Sequence, residues 1–261
     1  MRAYTASVLL VLLVSMFPAP GLGADREKLL SQPGVYGTYA AFKVAQDWWK
    51  VDQATRRSAV ADAKTVFERH ADRVVIDTYL LRGLSERGDF LVRLHATELL
   101  DEQNFLIELM ATTFGRYLEN THSFLGVTKK ANYVPQFREE VKASLRTAPP
   151  AGNRPYAVII PVRKDAEWWS LGETERVRLM QEHTDAALPY LKSVSRKLYH
   201  SSGLDDFDFL TYFETANLED FNHLVIALER VKEYRHNRRF GQPTLIGTVR
   251  NVEEILELFA R

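Results

Sequence analysis

The strongest constraint on the fold of this chain is that its sequence carries the same hairpin twice. TYLLRGLSERGDFLVRL begins at Thr78, and RKLYHSSGLDDFDFLTYF begins at Arg196. Each apolar run breaks at a Gly-Leu pair, Gly83-Leu84 and Gly203-Leu204, and resumes at Asp-Phe-Leu, Asp89 to Leu91 and Asp208 to Leu210. Shared punctuation of this kind marks repeated supersecondary units. The flanking patterns repeat as well. Strands are expected over 35–43, 73–83, 89–96 and 124–129, with helices over 54–70 and 100–118. The second half offers strands over 156–162, 194–200, 207–214 and 244–249, helices over 174–188 and 218–236, and a closing helix over 251–260.

Both halves spell βαββαβ, so the expected class is α+β, built from two fused ferredoxin-like units. Each four-stranded antiparallel sheet carries helices on one face and leaves the other bare. Packing the bare faces together covers both, which predicts a dimeric α+β barrel-like core. Between the halves, Thr147 to Arg154 contains Pro149, Pro150 and Gly152, which continue neither element and read as a linker. The boundary falls near residue 150, giving an N-terminal unit over 24–150 and a C-terminal unit over 151–261.

The first 23 residues stand apart: Arg2, an apolar run from Ser7 to Phe17, then Pro18 to Gly23. A basic start, a short apolar core and small residues at the end read as a secretory signal cut beside Ala24, too short for a stable membrane span. A retained N-terminal anchor is the alternative. Without Arg2 the chain carries 33 basic against 34 acidic residues, a net charge of −1. It has no basic stripe, which argues against a nucleic-acid binder, and no later run long enough to cross a bilayer. Export of a chain with no cysteine suits a periplasm. The same absence excludes disulfides, thiolate metal sites, iron–sulfur clusters and cysteine nucleophiles together.

The seven histidines lack the tight spacings of a multi-histidine metal site, and no G-x-S-x-G, G-x-G-x-x-G or G-K-[ST] motif occurs. His183, in MQEHTDAALPYL, shares a helix face with Met180 and Ala187 and so points inward, away from Arg178 and Asp185. It is either a core histidine satisfied by a backbone carbonyl or an axial haem ligand whose second nitrogen meets a carboxylate. Arg196 alternates with Val194 and Leu198 on one strand face. Its guanidinium either reaches solvent at an edge or holds an anion. Trp168 and Trp169 stand together just after a strand, as Trp48 and Trp49 do in the first half. Such pairs wall a flat cofactor or cap a core.

At these residues the chain resembles a known family. NRPYAVIIPVRKDAEWW, MQEHTDAALPYLKSVSRKLYHSSGLDDFDFLTYFET and RVKEYRHNRRFGQPTLIGT are similar to the chlorite dismutase family, specifically its long-chain, exported, pentameric lineage. ADREKLL and GVYGTYAAFKVAQDWW near the start extend the similarity over essentially the whole chain after the export segment. The resemblance implies a haem b enzyme, one haem per subunit, that converts chlorite to chloride and dioxygen. It implies that the O–O bond forms through iron-oxo haem and transient hypochlorite, and that the assembly is a homopentamer.

Residue by residue, the resemblance implies His183 as the proximal iron ligand, Glu233 as acceptor of the proton on its second nitrogen, and Arg196 as the distal catalytic residue. Lys164, Trp168 and Trp169 fall beside the haem, and Asn132 and Tyr133 on its propionates or edge. Ser195 stands where relatives often carry lysine, and the turn His200 to Gly203 has serine where threonine is frequent. Neither departure touches a named role. The related coproheme decarboxylases lack the distal arginine and are not normally exported, so Arg196 and the export segment agree. A haem peroxidase or haem-binding protein on the same scaffold is the alternative.

Overall fold

The structure, a computed structural model, describes residues 24–130 and 154–261. The expected export segment, the linker up to residue 153, and Asn132 and Tyr133 lie outside the described residues. After a short helix α1 (Arg26–Ser31), the first half runs β1 (Tyr36–Val44), α2 (Gln53–His70), β2 (Val75–Leu80), β3 (Phe90–Ala96), α3 (Leu99–Ala111) and β4 (Leu118–Val127). The second runs β5 (Tyr156–Lys164), α4 (Ala166–Ser170), α5 (Glu173–Ala187), β6 (Val194–His200), β7 (Phe209–Thr215), α6 (Leu218–Glu229), β8 (Asn237–Phe240) and β9 (Leu245–Arg250). Helix α7 (Val252–Ala260) closes the chain.

The strands form one antiparallel sheet in the order β7-β6-β4-β1-β3-β2-β9-β5-β8, and β7 returns to β5. The ring so closed is the barrel that the repeat predicts. Its two seams are short: Val127 opposite His200 between β4 and β6, and Thr78 to Leu80 opposite Arg250 to Thr248 between β2 and β9. Strand β5 is apolar on both faces because both are covered. Ala157 and Ile159 enter the barrel with Tyr39, Leu91, Tyr199 and Leu210, whereas Val158, Ile160 and Val162 pack under the helices.

The barrel interior also holds a charge. Arg93 on β3 is 0% exposed and donates to the hydroxyls of Tyr79 and Tyr199, each at 3.3 Å, beneath the Tyr212 ring 4.0 Å away. Tyr79 and Tyr212 share a hydrogen bond of 2.8 Å across the two halves, and Tyr212 hydrogen-bonds Glu214 in turn. A buried guanidinium is tolerable only with such partners.

Two expected helices are too long. The first ends at Ala111, where Thr112 turns the chain; a Cβ on Gly115 would lie 2.0 Å from the Leu109 carbonyl, so no larger residue fits that turn. Residues from Leu118 onward belong to β4, six positions earlier than the strand expected from 124. The second helix ends at Glu229, and a single 3-10 turn over Lys232–His236 leads into β8. Strands β8 and β9 together are the second-half counterpart of β4, interrupted where Gly241 and Gln242 take φ of 78° and 67°.

Candidate active site

A pocket opens between α5, α6 and the outer faces of β5, β6 and β7. Its wall is largely apolar, with Trp168, Met180, Leu198, Phe209, Phe213 and Leu224 among the residues that line it. His183, Arg196, Lys164, Trp169 and Glu233 also line it, so the pocket gathers every described residue named by the sequence. Lys129, Lys130 and Arg176 add positive charge to the lining.

His183 projects from α5 between buried Leu179 and Ala187 on one side and exposed Arg178 and Asp185 on the other. Its Nδ1 lies 2.9 Å from Glu233 Oε2. Burial, reinforced by the nearby cations of Arg196 and Lys164, pushes the imidazole pKa down to about 3. The ring is therefore neutral at ordinary pH; with Nδ1–H donated to Glu233, Nε2 carries the lone pair. That is the tautomer that metal ligation through Nε2 requires. The core-histidine reading, with a backbone carbonyl as partner, is overturned by the carboxylate.

Glu233 is buried in the 3-10 turn that follows α6. Its other oxygen, Oε1, is paired with Lys164. The Lys164 ammonium also donates to Asn237 Oδ1 at 2.6 Å and sits 4.4 Å from the Trp168 ring centroid. Burial pushes its pKa down to about 7, and the Asp165 and Asp208 carboxylates oppose that shift; contact with Glu233 likewise favours the cation. Asp165 caps α4 by accepting from the Trp168 backbone N–H at 2.8 Å, which fixes where the tryptophan enters. The two tryptophans differ: Trp168 is buried, while Trp169 is 47% exposed and stacks on Phe209 with ring centroids 6.0 Å apart.

The first half is an internal control for this site. Phe90 pairs with Phe42 and Leu80 as Phe209 pairs with Val162 and His200, so Ile76, opposite Leu94, holds the place of Arg196, opposite Phe213. Asp89 accepts from the Val44 N–H as Asp208 does from the Lys164 N–H, at 2.8 and 2.7 Å; Val44 therefore stands for Lys164. Counting on from the tryptophan pairs, Ala63 stands for His183. Counting back from the strand that faces Val44 or Lys164, Phe114 stands for Glu233. Residues that build the fold recur in both halves, and those that line the polar end of the pocket do not.

Asn237 escaped the sequence reading because RVKEYRH was absorbed into a helix, which hid the strand after it. The repeat itself carried the signal, since Asn237 faces Lys164 as Leu118 faces Val44. Phe209, Phe213 and Leu198 were legible only as strand residues.

A closed barrel of two ferredoxin-like repeats, with a neutral imidazole and a buried carboxylate at an apolar pocket, defines the class: a dimeric α+β barrel protein with a histidine–carboxylate pair at its pocket. A family model described as chlorite dismutase matches residues 42–250. The chain is 40% identical over 242 residues to the chlorite dismutase of Ideonella dechloratans, covering 92% of this chain and 85% of that protein. It is 54% identical to the chlorite dismutase of Candidatus Nitrospira defluvii solved in complex with imidazole, with a TM-score of 0.86 over 91% of this chain and 100% of that one. The coproheme decarboxylase of Mycolicibacterium smegmatis is 26% identical over 224 residues, 85% of this chain and 92% of that protein. This chain belongs to the chlorite dismutase family.

Proposed function

We propose that the protein is a haem b enzyme, with one haem per subunit, that converts chlorite to chloride and dioxygen. The observation that carries this reading is the neutral His183 with its Nδ1 on Glu233, facing an apolar pocket that Arg196 also lines. The pocket suits a flat apolar group: aromatic and aliphatic side chains form its walls, and its cations match carboxylates at the group's edge. His183 Nε2 would hold the iron, and Lys164, Trp168 and Trp169 would flank the ring. Asn132 and Tyr133 would meet its propionates or edge. The iron, when bound, supplies the electron transfer that cleaves chlorine–oxygen bonds.

The chain's own residues then have separate tasks. Glu233 holds the Nδ1 proton and orients the imidazole. Arg196 binds the chlorite anion, and any hypochlorite released from it, by charge-assisted hydrogen bonds that strengthen in a dry pocket. The apolar walls exclude water that would carry the oxidant away. The balance ClO2− → Cl− + O2 needs no external reductant. The reading also includes a homopentamer and export to the periplasm through residues 1–23, for which the family resemblance and the sequence of that segment are the support.

The test is dioxygen evolution from chlorite by the haem-loaded protein, beside His183→Ala and Arg196→Ala. Rapid release is expected from the wild type and none from His183→Ala. Arg196→Ala is expected to keep haem, turn over at first and inactivate sooner as hypochlorite escapes to a chlorination trap. Full haem loading without dioxygen would overturn the reading in favour of a peroxidase or haem-binding protein, and equal hypochlorite escape in both proteins would remove the role of Arg196.

A further inference from the structure

Lys164 has three fixed partners: the Glu233 carboxylate, the Asn237 amide oxygen and the Trp168 ring. Glu233 in turn divides its two oxygens between Lys164 and His183. The four polar residues form a single chain of contacts, Asn237 to Lys164 to Glu233 to His183, and its outer end is the amide. We propose that Asn237 is a positioning residue that shares the Lys164 cation with Glu233 and so sets how strongly Glu233 draws on the Nδ1 proton of His183. The inference rests on the haem reading above, because its effect is read at the iron.

Two independent observations support it. The first is the repeat: where the second half has His183, Glu233, Lys164 and Asn237, the first has Ala63, Phe114, Val44 and Leu118. All four polar members are replaced by apolar ones together, while Trp48 and Asp89, which serve the fold, stay as Trp168 and Asp208 do. Asn237 thus segregates with the site and not with the scaffold. The second is the register. Strands β5 and β8 slip between Arg163 and Lys164, so that Arg163 faces Arg239 and Lys164 faces Asn237. In the first half the irregularity lies between Ala41 and Phe42, and the end at Val44 is regular. A bulge re-aims side chains where it occurs; here it lies beside Lys164 and the amide that contacts it.

The direction follows from charge sharing. Without the amide, the ammonium keeps Glu233 and the Trp168 ring and neutralises the carboxylate more fully; the carboxylate then pulls less on the Nδ1 proton, and His183 becomes a weaker donor. A second carboxylate in place of the amide draws the ammonium away, and His183 becomes a stronger donor. A stronger donor stabilises ferric over ferrous iron and stiffens the iron–histidine bond.

The experiment is potentiometry and resonance Raman spectroscopy on the haem-loaded protein. Asn237→Leu is expected to raise the ferric/ferrous midpoint potential and lower the ferrous iron–histidine stretching frequency, and Asn237→Asp to do the reverse. In a Lys164→Met background the Asn237→Leu shift is expected to vanish. Should Asn237→Leu fail to load haem, Asn237→Ser carries the same expectation. An unchanged or lowered potential in Asn237→Leu, or a shift that persists without Lys164, overturns the inference. A wild-type protein that binds no haem, or a His183→Ala protein that keeps the iron–histidine band, would instead overturn the haem reading itself.

Discussion

Trp48 donates its indole N–H to the carbonyl of Phe259 at 2.9 Å, and this bond joins the start of the first repeat to the last helix of the chain. The Phe259 ring lies 5.7 Å from both Phe90 and Phe114, centroid to centroid. Phe90 and Phe114 occupy the places that Phe209 and Glu233 hold at the second-half pocket. Helix α7 therefore fills in the first half the space that remains open in the second, and it does so with an apolar end suited to Ala63, Val44 and Phe114.

Because Phe259 is fully buried in this cluster, truncating it removes a large apolar side chain with little chance of collapse around the gap. Phe259→Ala is expected to lower stability by roughly 3–5 kcal/mol, measured by urea unfolding, while the haem spectrum of the loaded protein keeps its wild-type form. A loss below about 1 kcal/mol would mean that α7 is not an integral part of the first-half core.

Lys164 and Glu233 invite a different test, since burying an ion pair contributes little net stability but breaking one is costly. Lys164→Met alone leaves the Glu233 carboxylate buried without its cation, and a loss of roughly 3–5 kcal/mol is expected in the haem-free protein. The double variant Lys164→Met/Glu233→Leu removes both charges and imitates the first half, where Val44 and Phe114 take these places. It is expected to be more stable than Lys164→Met, as read by the urea midpoint. Additive losses would show that the two charges are not coupled in the folded protein.

The repeat, the α+β class and the order of elements were legible in the sequence because hairpin punctuation and apolar period are local properties. The closing of the ring was harder to read. Its seams rest on Val127 opposite His200 and on three residues of β2, too few to leave a pattern. Arg93 was hidden for a related reason: a charge in an alternating strand usually marks the solvent face, and its interior position is tenable because tyrosines from four other strands, Tyr39, Tyr79, Tyr199 and Tyr212, and the Asp77 and Glu214 carboxylates, 3.7 and 3.8 Å away, surround it. For the site, local pattern gave an inward His183 and an arginine among apolar neighbours. Their joining with Glu233 and Lys164, which stand far off in sequence, came from the family resemblance. Asn237 was lost where an apolar helical period ran past the true end of α6 at Glu229.

The last prediction concerns pH and the first half alone. Glu102 of α3 is fully buried; it accepts from the Ala96 backbone N–H at 2.9 Å and is bonded to the Thr38 hydroxyl, which ties the helix to β1 and β3. Burial pushes its pKa up from 4.5 to about 8, against the opposing pull of those hydrogen bonds. The folded protein thus holds a proton that the unfolded chain releases above its ordinary carboxyl pKa. This stabilisation is fully present below about pH 4.5 and is lost as pH rises through about 8. Between those limits stability is expected to fall by up to roughly 1.4 kcal/mol per pH unit from this group. Glu102→Gln keeps an oxygen for the Ala96 N–H but cannot ionise, so its unfolding free energy is expected to be flatter over the same window. Urea unfolding of both proteins at pH 5, 6.5 and 8 reads the difference, and parallel pH profiles would show that Glu102 stays ionised in the folded protein.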